Sequence, residues 1–134
     1  MRVVCVDPSR IPAHALDAML DFAYERDRMP WADRAFLEAA RSLAYLHTRG
    51  KRRFFEAIQR VEAPTLLVQG ACDRLAPPGA ARQAARLRPD WAFAVLGEVG
   101  HLPMLEDPGR LVSVIDAWLR DLARSAGARA HEVA

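Results

Sequence analysis

The pattern of apolar and polar positions changes character near residue 63. Before it, apolar residues recur at helical spacing. Ile11, Ala15, Met19, Phe22 and Ala23 share one face of a helix reaching about Arg26. Phe36, Ala39, Ala40, Leu43 and Leu46 form the inward face of a second helix, from about Asp33 to the break at Gly50. Phe54, Phe55 and Ile58 mark a short third helix that stops before Ala63-Pro64. Asp7 or Ser9 can cap the first of these, and Pro12 fits its first turn. Residues 1–6 are extended and apolar, with a possible edge strand at Val3–Val6.

After Pro64 the period is lost and short solid runs replace it. Thr65-Leu66-Leu67-Val68-Gln69, closed by Gly70, reads as a strand buried on both faces, as in parallel sheets. Trp91 to Leu96, closed by Gly97, reads the same way. Between them Pro77-Pro78 opens a helix carrying Ala81, Ala84, Ala85 and Leu87, which Arg88-Pro89-Asp90 stops. Asp107-Pro108 starts a last helix, with the Asp as cap and the Pro at the first position. Leu111, Val112, Ile115, Trp118, Leu119 and Leu122 give that helix an apolar face, and a small polar tail follows Ser125. The class is therefore α/β. A helical region, 1–62, precedes a β-α-β-α unit with parallel strands, 63–125, and a tail, 126–134. Two strands joined through a helix imply a right-handed parallel crossover.

Composition narrows the function classes. The chain has 134 residues, 51% of them hydrophobic, enough for one packed domain. A formal net charge of +2 gives no case for nucleic acid or an anionic membrane surface. Cys5 and Cys72 make neither a disulfide framework nor a metal-site spacing, so a reducing cytoplasm is the plain expectation. No apolar stretch approaches the roughly 18–20 residues of a membrane span, and the opening run is too short for a signal-peptide core.

In open parallel sheets, function sits at the carboxyl ends of strands. Two polar loops belong there: Gly70-Ala71-Cys72-Asp73-Arg74-Leu75-Ala76-Pro77 and Gly97-Glu98-Val99-Gly100-His101-Leu102-Pro103. Both project from one edge, which can bring Asp73 beside His101. An Asp–His pair is the acid–base half of a hydrolytic triad, in which the carboxylate fixes the imidazole tautomer. Singly, each residue has a plainer reading: Asp73 as a turn former or cap, His101 as a loop residue.

Together they carry a family resemblance. Ala63-Pro64-Thr65-Leu66-Leu67-Val68-Gln69-Gly70 followed by Asp73, then Gly100-His101, then Leu105-Glu106-Asp107-Pro108, resemble the carboxy-terminal part of α/β-hydrolases. The resemblance implies that Asp73 is the triad acid and His101 the triad base. Their order fits the family order of nucleophile, acid, histidine. Residues from Pro8 to Gln59 look like the helical lid of many members, a looser match. No metal or organic cofactor is implied, and the complete enzyme is expected to act on a small ester, lactone or similar carbonyl compound.

One family feature is absent. No Gly-x-Ser-x-Gly elbow occurs: Ser9 follows Asp-Pro, Ser42 and Ser113 fall within helices, and Ser125 lies in the tail. Cys72 lies on the acid loop and reads as a small loop residue. Asp7 as an aspartate nucleophile is outweighed by its position at a helix start. The chain is thus expected to be a carboxy-terminal fragment, inactive alone, with an open sheet edge that a second copy or a complementing chain covers. The rival reading is a non-catalytic binding or interaction module in which the pair is a relic. A complete flavodoxin-like domain would need about five strands.

Other features have modest readings. Lys51-Arg52-Arg53 could bind an anion or be a solvated helix start. Trp31, Phe36, Phe54 and Phe55 could line an acyl pocket or pack the helices, and Trp91 and Trp118 read as core. His14 and His47 need no role. Glu98 and Glu106 flank the His loop, and Glu106 reads as a helix-start charge favoured by the dipole.

Overall fold

The structure is a computed structural model that describes residues 4–132, leaving aside the side chains of His47 and of residues 126–132. It contains two compact units, one of Ile11–Val61 and one formed by the residues up to Arg10 together with those from Glu62 onward. The chain passes between the units twice, after Arg10 and after Val61. The opening segment groups with the carboxy-terminal unit rather than with the helices that follow it.

The helical unit holds α1 (Ala13–Asp27), α2 (Ala32–Thr48) and α3 (Lys51–Gln59). Met29-Pro30 separates α1 from α2, as Pro cannot continue a helix. Gly50 separates α2 from α3. The apolar faces read from the sequence exist, but they are not buried as expected. No residue of α1 is buried, and Phe22, Phe36 and Leu43 are 66%, 70% and 59% exposed. The period fixes which residues share a face, and what covers that face is a separate matter.

The second unit contains β1 (Leu66–Gly70), α4 (Pro78–Leu87), β2 (Ala92–Leu96), α5 (Pro103–Glu106) and α6 (Pro108–Glu132). The strands pair in parallel, from Leu66 with Ala92 to Gly70 with Leu96. The helix α4 forms the crossover and lies against β1, while α6 lies against β2. Burial rises toward the carboxyl ends of the strands. Leu66, Leu67 and Val68 are half-buried, whereas Gln69 and Gly70 are buried. Leu96 and Val99 are 1% and 0% exposed, and Ala81 and Ala84 of α4, in the same unit, are also buried. Each of the two large side chains contributes about 1.5–3 kcal/mol by burial. Val95, by contrast, is 39% exposed, so the expectation of two fully covered strand faces is not met within this chain. A two-stranded sheet lacks the layers that would cover them.

Three local expectations are corrected. Val4 to Val6 form no strand; the positions before them lie outside the described residues. Asp7 does not cap α1. It accepts hydrogen bonds from the Ser9 backbone N–H (3.0 Å) and Ser9 Oγ (2.7 Å), closing a 3-10 turn over Pro8–Arg10. The helix α6 continues through Glu132 rather than ending at Ser125, since Ala and Arg favour helix and no Pro intervenes. Asp107 does cap α6, accepting the Arg110 N–H at 3.1 Å. No helix among the described residues is long and apolar enough to cross a membrane.

Candidate active site

The site lies where β1 and β2 end. The parallel ladder runs on into both loops: Ala71 N–H donates to Leu96 O (2.8 Å) and Cys72 N–H to Val99 O (2.9 Å). These bonds hold the Asp73 loop and the His101 loop together. The close approach requires glycine at the end of β1, where an added Cβ at Gly70 would lie 2.0 Å from Gly100 O.

His101 Nδ1 lies 2.9 Å from Asp73 Oδ2. The Asp73 side chain is 6% exposed and the His101 ring 37%. The structure therefore brings together the two residues that the loop positions pointed to. Burial of the Asp73 carboxyl opposes its ionisation. Hydrogen bonds from the Ala76 N–H, from His101 and from the Leu75 N–H outweigh that, and hold the group below the usual carboxylate range. With Asp73 ionised, Nδ1 is the donor of this bond, and in the tautomer that carries its proton there the Nε2 lone pair is the acceptor site. Among the described residues no group hydrogen-bonds to Nε2.

Asp73 is anchored more firmly than its loop position suggests. Its Oδ1 accepts from the backbone N–H of Leu75 (2.9 Å) and Ala76 (2.8 Å). Its Oδ2 accepts from His101 and also from Gln69 Nε2 at 3.3 Å. The same Gln69 amide lies within bonding distance of Gly70 O (3.0 Å) and Ala76 O (3.2 Å), so its two N–H groups are shared among three acceptors. The apolar pattern alone does not single out Gln69. The signal was there, a lone polar residue ending an apolar strand, since a buried amide must find partners.

Glu106 lies in the first turn of α5, where the sequence expects a helix-start charge, but its surroundings are not those of a surface charge. It is 5% exposed, and its carboxylate accepts backbone N–H groups from Val6 and Gly100, with Leu102 at longer range. Glu98 is exposed, pairs loosely with Arg10 at 3.9 Å, and adopts a left-handed backbone, φ 56°.

Among the described residues no serine hydroxyl bonds to Nε2. Ser9 Oγ is bonded to Asp7. Ser113 and Ser125 bond back to Gly109 O and Asp121 O on α6, and Ser42 lies within α2. Cys72, next to Asp73 in the chain, is exposed. In the helical unit, Trp31 and Phe36 are 58% and 70% exposed beside an open groove that also involves Arg26 and Asp27. Phe54 and Phe55 meet at 5.8 Å between ring centroids, and Lys51 Nζ lies 5.9 Å from the Phe55 ring centroid. Trp91 is half-buried with the Arg88 guanidinium 4.9 Å from its ring centroid, and Trp118 is half-buried on α6. Neither is the full core position expected.

The sequence model of a family described as the alpha/beta hydrolase family matches residues 4–114. No curated protein matches the chain. Among solved structures, a thermophilic esterase from Thermogutta terrifontis, determined with malate bound, is 34% identical, with a TM-score of 0.48. The match covers 50% of this chain and 25% of the esterase chain, so the present chain answers to about a quarter of that structure.

Proposed function

The chain belongs to the α/β-hydrolase family, and on that premise we propose that Asp73 and His101 are the acid and base of a hydrolytic triad. The observation that carries the proposal is the 2.9 Å contact between His101 Nδ1 and Asp73 Oδ2 at the carboxyl ends of two parallel strands. In the complete enzyme a serine attacks an ester, lactone or similar carbonyl carbon. His101 Nε2 takes the serine proton as the tetrahedral oxyanion forms, then returns it to the leaving oxygen. Asp73 holds the imidazole tautomer and stabilises the imidazolium. The 134-residue chain has no Gly-x-Ser-x-Gly turn, so it is inactive alone. Loss of a triad nucleophile costs on the order of 10⁶ in turnover.

The helical unit acts as a lid over the substrate, and a second copy or a complementing chain covers the open sheet. What supports the latter is the exposure of Val95 in β2. Cys5 and Cys72, both thiols and not joined in a disulfide, suit a reducing cytoplasm. A second reading, a non-catalytic interaction module, draws support from the exposed aromatic residues of the helical unit, Phe22, Trp31 and Phe36.

The test starts from the DNA beside the coding region. Translation in all three frames should yield a Gly-x-Ser-x-Gly segment, and the joined protein should hydrolyse p-nitrophenyl acetate. Substituting His101→Ala in the joined protein should abolish that hydrolysis. A joined protein that binds a partner and hydrolyses no ester would favour the interaction module.

A further inference from the structure

Glu106 is a buried carboxylate that the acid–base chemistry does not use. No Arg, Lys or His among the described residues pairs with it. Carboxyl oxygens out of water need donors, and here they are backbone amides. Oε2 accepts Val6 N–H at 2.7 Å, and Oε1 accepts Gly100 N–H at 3.0 Å and Leu102 N–H at 3.4 Å. Gly100 and Leu102 are the two neighbours of His101 in the chain. His101's own backbone N–H donates to Val4 O at 2.7 Å. The residue before the base, the base and the residue after it are thus each tied by the main chain. Two of these ties run to Glu106. The third runs to a segment that Glu106 itself holds through Val6.

We infer that Glu106 is the positioning residue of this site, clamping the His101 loop to the amino-terminal segment so that Nδ1 meets Asp73. The inference rests on the reading of His101 as the catalytic base. Gly100 is part of the same device. A Cβ there would lie 2.9 Å from Glu106 Oε1, 3.0 Å from Val4 O and 3.1 Å from the Cys5 Cα. Only a residue without a side chain lets the carboxylate and the segment close on the loop together. The clamp also accounts for the grouping of the opening residues with the carboxy-terminal unit.

Two variants of the 134-residue chain test it. Glu106→Gln keeps the shape but offers one acceptor oxygen, so either Val6 or Gly100 faces an NH2 group. Val6→Pro removes one donor and leaves the carboxylate intact. Both are read by NMR, from the exchange rates of the His101 backbone amide and of its Nδ1 proton, with the amides of β1 and β2 reporting the fold. Glu98→Gln, on the exposed flank of the loop, is the control. The expected result is exchange at least tenfold faster at both His101 sites in both variants, with the strand amides unchanged and the control like the parent. Unchanged exchange at His101 in either variant overturns the clamp. So does uniform acceleration that includes the strands, because it marks general destabilisation. A parent chain with no Asp73-bonded Nδ1 proton refutes the acid–base reading instead, and the backbone amide of His101 still decides the role of Glu106.

Discussion

Replacing Gly70 by Ala tests how the two loops are held together. The added Cβ would sit 2.0 Å from Gly100 O, 2.6 Å from Val99 O and 2.9 Å from the Gly100 carbonyl carbon. All three are backbone atoms, so no side chain can swing away. Ordinary contact begins near 3.4 Å, and the strand end must therefore part from the His loop by about 1.4 Å. A parting of that size carries the Cys72–Val99 bond, now 2.9 Å, beyond the distance at which a hydrogen bond survives. The His101–Asp73 contact, also 2.9 Å, spans the same two loops and is strained with it. Overpacking costs about 1–3 kcal/mol, and each lost hydrogen bond adds about 1 kcal/mol. For a unit of this size each kcal/mol lowers the melting temperature by roughly 4–8 °C, so a fall of about 10 °C or more is expected. Thermal unfolding followed by circular dichroism measures it. Gly79→Ala in α4 is the matched control, because a Cβ there meets nothing within 4 Å. That variant should be neutral or more stable by up to about 1 kcal/mol. If Gly70→Ala melts with the parent, the close approach of the two loops is wrong.

Further outcomes follow from the same site. Asp73's folded pKa lies below its ordinary value. Its contribution to stability is therefore complete above the ordinary carboxylate range and is lost as pH falls through the depressed value. Acid unfolding of Asp73→Asn should lack that part of the pH dependence, and equal slopes in parent and variant would contradict it. Gln69→Leu removes the amide shared by Asp73 Oδ2, Gly70 O and Ala76 O. It should cost about 1–3 kcal/mol in urea unfolding; a neutral result would mean that the amide is dispensable. Glu98→Gly relieves a left-handed backbone, φ 56°, against the entropy cost of glycine. A gain of about 0.5–1 kcal/mol is expected, and a loss would mean that the Glu98 side chain contributes through Arg10.

Much of this was legible along the chain, and for definite reasons. Pro64 and Gly70 bracket a solid apolar run, which is a local signal, and β1 lies there. Asp107-Pro108 is a capping pair readable at two positions, and Asp107 makes the capping bond. Asp73 and His101 each follow a buried strand, and parallel pairing of those strands puts the two loops at one edge. What was not legible is non-local. Glu106 precedes a helix in sequence, and its burial depends on Val6, a hundred positions away. Nothing local marks Val4 to Val6 as a partner of the His loop. The apolar stripes of α1 and α2 were found by their period, but a period cannot say whether a stripe is covered, and Phe22 and Phe36 stand exposed.

The most direct test of the central claim is the nitrogen-15 NMR spectrum of the His101 ring, taken in the parent chain and in Asp73→Ala. The account predicts a proton on Nδ1 in the parent, shifted downfield by the Asp73 hydrogen bond, with both features lost in the variant. A parent ring protonated at Nε2, or a spectrum that the substitution leaves unchanged, would contradict it.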